Sequence, residues 1–209
     1  MPQHLRLDCG AATRAHPRMG VNGDAFILQQ WEAGALVGMI DGLGHGPEAY
    51  RAAQTAWKAV TCRAEQPLDV LFQAVGLACR TTHGVVMALA RFVLRPALAP
   101  SSFVFASIGN IEARLVGSTT PNPLQVCRGI LGVHTLTPVS TEHHWESGDI
   151  LILHSDGVPA RWRWQDFVHL TSTSATGTAQ YLLQALAREH DDATVVVVKG
   201  CERAQHGHG

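Results

Sequence analysis

The residues of this chain best placed to do chemistry are aspartates at the ends of apolar runs. Leu36 to Ile40 stops on Asp41, and a loop with glycine at 42, 44 and 46 follows. Leu151 to His154 leads in the same way into Ser155-Asp-Gly157. Two more acidic positions open strands: Asp24 before Ala25-Phe-Ile-Leu28, and Asp191-Asp192 before Ala193-Thr-Val-Val-Val-Val198. The end of one antiparallel strand lies beside the start of its neighbour, so these positions are expected to gather at one edge. Like charges gathered in apolar surroundings raise one another's pKa or destabilise the fold, and a cation relieves both. An all-oxygen ligand set suits Mg²⁺ or Mn²⁺ more than Zn²⁺. Gly42 adds a main-chain carbonyl with no side chain in its way. Two ions roughly 3.5–4 Å apart activate a bridging water and neutralise a phosphoryl oxygen. Attack on phosphorus is then in line, with no phospho-enzyme. Any single Asp-Gly here is ordinary turn chemistry; the four positions together carry the reading.

The elements that position them follow from spacing. Residues 4–12 read as a strand and 13–23 as a loop with Pro17, Gly20, Asn22 and Gly23. Strands at 24–31 and 35–40 flank a turn at Glu32-Ala-Gly34, and a hairpin there makes Asp24 and Asp41 cross-strand neighbours. Pro47 fits the first turn of a helix, with Ala49, Ala52, Ala53, Ala56, Trp57 and Val60 at helical spacing up to residue 64. A second helix runs from Pro67 to Cys79 on Leu68, Leu71, Phe72, Val75 and Leu77 or Ala78. Val85 to Leu94 reads as a buried strand. Strands at 103–108 and 111–116 flank Gly109-Asn110 as a tight turn. Glu146 to Asp149 is a turn before a strand at 150–155. A short helix at 162–170, a helix from a Thr178 cap to Arg188, and a last strand at 193–199 complete the order. Strands and helices are grouped, not alternating, which predicts an α+β fold with antiparallel sheets.

Bulk properties narrow the class. The 209 residues are 46% hydrophobic and 16% charged, as for one compact domain over residues 1–200, with 201–209 expected to be a disordered tail. A net charge of −1 gives no reason to expect nucleic acid. No apolar run is long enough to span a membrane, and the first residues do not resemble a signal peptide. Five cysteines, widely spaced and without C-x-x-C, predict free thiols in the reducing cytoplasm.

Four segments carry a resemblance: Asn22-Gly-Asp24, Asp41-Gly-Leu-Gly-His-Gly46, Ser155-Asp-Gly157 and Asp191-Asp-Ala-Thr194. Their order and spacing resemble the PPM (type 2C) metal-dependent serine/threonine phosphatases. They are most similar to the compact bacterial branch that includes SpoIIE and, nearest of all, RsbX. Gly84 to Leu89, Gly109 to Arg114, Gly129 to Gly132 and Gly148-Asp149 are also similar to RsbX connectors, so the resemblance covers about Leu5 to Lys199. It implies a four-layer α-β-β-α sandwich of two antiparallel sheets flanked by helices. It implies two Mn²⁺ or Mg²⁺ ions, with Asp41 bridging them and orienting the water. Asp24 and the Gly42 carbonyl would join Asp41, and Asp156 and Asp191 would hold the second ion. Asp191 is preferred to Asp192 because the first Asp of the family's pair is the ligand. It further implies dephosphorylation of a protein partner, a STAS-domain stressosome component.

The family pattern also directs attention to two substrate-binding candidates. Eukaryotic members place a histidine directly after Asp-Gly; here Leu43 stands there and His45 is the nearest imidazole. They also hold phosphate with an arginine shortly before the first Asp, a place near Arg18. Outside the site, His154 reads as a hydrogen-bonded core residue, and His143-His144, His206 and His208 as exposed loop and tail. Arg161-Trp-Arg-Trp164 reads as tryptophan packed on a sheet, and Asp149 as turn chemistry. Two other functions compete with the phosphatase: a catalytically silent PPM-like module that sequesters a signalling partner, and a hydrolase of small phosphate esters.

Overall fold

Several strands are apolar at nearly every position, and the structure shows why. In the computed structural model, which describes residues 5–95, 101–117, 123–134 and 136–202, they are covered on both faces. Strand β1 is Leu5–Arg14, β2 Asp24–Trp31, β3 Gly34–Gly42, β4 Val85–Val93 and β5 Ser101–Ile108. Strand β6 is Glu112–Val116, β7 Thr141–Trp145, β8 Ile150–His154 and β9 Ala193–Glu202. They form two antiparallel sheets, ordered β1-β9-β8-β6 and β2-β3-β4-β5-β7.

The period-2 alternation of a strand sorts these runs among three cores, one between the sheets and one under each helical layer. Ala35, Val37 and Met39 of β3 face the space between the sheets, with Phe92, Phe103, Phe105 and Trp145. Leu151, Leu153, Val196 and Val198 meet them from the other sheet. The alternate residues Leu36 and Ile40, with Met87 and Leu89, face the helices α1 (Gly46–Thr61) and α2 (Leu68–Ala78). On the far side Val195, Val197, Ile150 and Ile152 pack under α3 (Ala175–Leu186) and a 3-10 segment, Trp164–Ser172. The layers therefore run helix, sheet, sheet, helix, the α+β sandwich implied by the resemblance.

Helix α1 presents an alanine face, Ala49, Ala52, Ala53 and Ala56, all fully buried. Small side chains let its backbone approach β3 closely. A Cβ on Gly42 would lie 2.1 Å from the Ala49 carbonyl oxygen, so glycine after Asp41 is required by helix packing. The hairpin of β2 and β3 pairs Asp24 with Asp41 in register, as the spacing predicts.

Several expectations are corrected. Gly109-Asn110 is not a hairpin turn: β5 pairs with β4 and β7, whereas β6 pairs with β8, so the dipeptide carries the chain between sheets. Gly109 has φ +118, and a Cβ there would lie 2.2 Å from Val86, which explains glycine without a hairpin. Helix α3 is capped by Ser174, whose Oγ accepts from the Gly177 N–H at 3.1 Å. Thr178 lies inside that helix, fully buried, and donates to the Leu170 carbonyl. Trp57 is 37% exposed and ties α1 to β2 by donating to the Phe26 carbonyl at 3.1 Å. Leu77 is 60% exposed and Ala78 is exposed, while Cys79 takes the buried position.

Two further readings change. His143 is in β7, buried and stacked on Phe103 at 4.9 Å, not in an exposed loop. Cys201 and Glu202 extend β9 opposite Arg6 and Leu5, so the last strand runs past the expected tail boundary. The rest of that tail, with His206 and His208, lies outside the described residues. His154 is a core residue as read, fully buried and accepting from the Trp162 indole at 3.2 Å. Trp162 packs on the sheet with the Arg114 guanidinium 4.5 Å over its ring.

Candidate metal centre

The site is built from the ends of two strand pairs, one in each sheet. The hairpin β2–β3 supplies Asp24 and Asp41 side by side. In the other sheet β8 and β9 pair up to His154 opposite Val195. Beyond that pair the Ser155 N–H still donates to the Thr194 carbonyl at 3.1 Å, with Asp156 just after one strand and Asp191-Asp192 just before the other. The sequence places four acidic positions at strand ends; the fold divides them two and two between sheets and sets the ends face to face.

One hydroxyl joins the two halves. Ser155 Oγ donates to Asp24 Oδ2 at 2.7 Å and accepts from the Thr194 N–H at 3.0 Å. Ser155 is fully buried, and Asp24 is 7% exposed. A carboxylate so enclosed is costly to ionise. Burial, opposed by the hydrogen bonds from Ser155 and Thr194 and reinforced by Asp192 and Asp156, pushes Asp24 up to about 7. Asp41 is pushed up to about 8, first by burial and then by Asp24, Asp156, Asp191 and Asp192. Asp191 is raised too, by burial and by Asp156.

The cleft these residues border has a volume of about 560 Å³. Asp24, Asp41, Gly42, Asp156, Asp191 and Asp192 all line it, with no histidine or cysteine among the described lining residues. That donor chemistry, carboxylates and main-chain oxygens with unmet charge, fits a hard divalent cation. Among the described residues no three His, Cys, Asp or Glu side chains are drawn in around a single point; the carboxylates ring the cleft.

The two adjacent aspartates differ. Asp192 accepts from the His16 N–H at 2.7 Å on one oxygen and from the Gly23 N–H at 2.9 Å on the other. It thereby clamps the 14–23 loop against the site. A Cβ on Gly157 would lie 1.9 Å from the Asp192 carbonyl oxygen, so the glycine after Asp156 lets the β8 and β9 ends close up.

Arg18 and His45 are exposed and do not line the cleft. Arg18 donates its main-chain N–H to His16 Nδ1, and His45 stands at the N-cap of α1 without a side-chain capping bond. Sequence reasoning missed two contributors. Asn110 donates to Asp156 Oδ2 at 3.2 Å. Arg128, with Gly129 and Ile130, forms one wall. Reading Gly109-Asn110 as a hairpin turn concealed the first; nothing in the local pattern places the second.

Residues 32–200 match the family model described as Stage II sporulation protein E (SpoIIE). The chain belongs to the SpoIIE family of PPM-type phosphatase domains. No curated protein matches its sequence. Among solved structures, one described under "The bacterial stressosome: a modular system that has been adapted to control secondary messenger signaling" is 27% identical. Its TM-score is 0.84, over 93% of this chain and all of that one. RsbX in complex with magnesium is 18% identical, TM-score 0.75, over 96% of this chain and 100% of that one. The catalytic domain of the serine/threonine phosphatase PstP with 2 manganese ions is 20% identical, TM-score 0.69, over 95% and 99%. The last two are likenesses of fold, and the two-sheet architecture is that of the PP2C phosphatases. No described helix is long and apolar enough to cross a membrane.

Proposed function

We propose that this SpoIIE-family domain hydrolyses phosphoserine or phosphothreonine in a signalling protein, using divalent metal. The observation that carries this reading is one cleft lined by Asp24, Asp41, Gly42, Asp156 and Asp191, drawn from the facing ends of two sheets. Asp41 would reach both ions and orient the water, with Asp24 and the Gly42 carbonyl beside it. Asp156 and Asp191 would hold the second ion. The double clamping of Asp192 by main-chain N–H groups supports Asp191 as the ligand of the pair. When bound, Mn²⁺ or Mg²⁺ lowers the pKa of a water and neutralises phosphoryl oxygens. This chain's residues align that water with phosphorus and set the charge of the cleft.

The substrate proposed is a phosphorylated STAS-domain stressosome component, the class the family resemblance implies; the stressosome-related structure and RsbX among the neighbours support a signalling-protein partner. Five free cysteines suit the reducing cytoplasm. The retained acidic set favours an enzyme over a silent binding module. The test is hydrolysis of para-nitrophenyl phosphate with Mn²⁺, with Mg²⁺ and with chelator, beside Asp41→Asn. Metal-dependent turnover that falls at least about a hundredfold in the variant is expected, since orienting and charge-neutralising groups carry effects of that size. Absence of turnover together with absence of Mn²⁺ binding would sink the proposal and leave the silent module.

A further inference from the structure

We infer that Arg128 is the side chain that holds the substrate phosphate in this cleft, an inference that rests on the phosphatase reading. Five aspartates line the cleft, and Arg128 is the one cationic side chain among the described lining residues. Even against two divalent ions, five carboxylates leave negative charge in excess, and a phosphomonoester adds more. A site that binds such a group needs a fixed cation, and the guanidinium fork matches phosphate oxygens in pairs.

The backbone that carries Arg128 is held on both sides. The Cys127 N–H donates to the Ser107 carbonyl at 3.0 Å, and the Gly109 N–H donates to the Cys127 carbonyl at 2.8 Å. Three residues on, Leu131 and Val85 exchange bonds of 2.9 and 3.0 Å. Arg128 is therefore strapped across the start of β4 and the end of β5, and β4 pairs Val86 with Asp41 at the end of β3. Gly129 sets the path of the strap: its φ is +151, and a Cβ there would lie 2.1 Å from Leu136 Cδ1. A loop tied down in this way positions a side chain as an element does.

The guanidinium is not consumed by the aspartates. Among the described residues the ion pair present is Glu48 with His83, at 3.3 Å, outside this cleft. Arg128 is exposed at the wall, where an incoming phosphoryl group can reach it. Arg18, in the place suggested by the family pattern, is exposed and does not line the cleft, although its loop is held to Asp192 through His16 and Gly23.

The test compares wild type, Arg128→Ala, Arg128→Lys and Arg18→Ala. Inorganic phosphate binding is measured calorimetrically on Mn²⁺-loaded protein, with KM and kcat for para-nitrophenyl phosphate and a direct Mn²⁺ titration. In Arg128→Ala, KM and the phosphate Kd are expected to rise about tenfold or more, the scale of a lost charge-assisted bond. Arg128→Lys should recover part of this, with Mn²⁺ affinity and melting temperature unchanged throughout. Wild-type phosphate binding and KM in Arg128→Ala overturn the inference while leaving the phosphatase intact. Weakened Mn²⁺ binding in Arg128→Ala, or loss of phosphate binding in Arg18→Ala with Arg128→Ala unaffected, also overturns it. Wild-type protein that binds Mn²⁺ and phosphate without turnover overturns the phosphatase reading instead, and the phosphate titrations still decide Arg128.

Discussion

At the residue scale, Ser155 and the Asp191-Asp192 pair separate architecture from chemistry. Ser155 Oγ bridges Asp24 and the Thr194 N–H, so Ser155→Ala leaves two buried polar partners unmet. The expected loss is about 1–3 kcal/mol, read by urea denaturation, together with weaker Mn²⁺ binding because Asp24 loses its orienting partner. The adjacent aspartates should behave oppositely. Asp191→Asn is expected to weaken Mn²⁺ binding with little change in stability. Asp192→Asn should loosen the 14–23 loop, since both oxygens hold main-chain N–H groups there. Protease susceptibility of that loop and a Mn²⁺ titration, measured on both variants, distinguish them. Equal loss of Mn²⁺ affinity in the two would remove the division of labour.

At the element scale, the site depends on how closely α1 lies against the end of β3. That closeness comes from the buried alanine face and from Gly42. Gly42→Ala places a methyl 2.1 Å from the Ala49 carbonyl oxygen, and backbone cannot yield as a flexible side chain can. The variant is expected to lose at least about 1–3 kcal/mol, the range for overpacking, and to displace Asp41 with it. A melting curve and a Mn²⁺ titration check both halves. A stable variant with unchanged metal binding would mean that α1 can shift freely. The glycines at 42 and 157 thus do one job twice, removing a side chain where a helix or a strand end must close on the site.

At the scale of the whole molecule, facing two sheets across a shared core brings like charges together, and pH should expose that. Without metal, burial and the neighbouring carboxylates raise Asp24 and Asp41 to about 7 and about 8, well above the ordinary 3.8 of an aspartate. The folded state then holds more protons than the unfolded state between about pH 4 and pH 8, so stability falls as pH rises through that window. Metal-free protein should melt at lower temperature at pH 8 than at pH 5.5. Asp41→Asn should flatten the slope, and saturating Mn²⁺ should reverse it, because a cation replaces the protons. A metal-free melting temperature that is flat over this range would contradict the crowding of the carboxylates.

The sequence by itself determined the order of the strands other than β7, the order of the main helices, the hairpin that pairs Asp24 with Asp41, and the family, because periodicity, glycines and turn residues are local signals. It also marked Asp156 and Asp191-Asp192 as strand-end carboxylates. Only the tertiary structure decided that Gly109-Asn110 crosses between sheets, that Ser174 caps the last helix, and that Asp192 is a clamp. Only it placed Asn110 and Arg128 in the cleft. The physical reason is the same in each case. A hairpin turn and an inter-sheet crossover begin with the same two residues, and what separates them is which strand the next segment pairs with. That choice is made by burial on both faces of distant strands, and no local pattern records it.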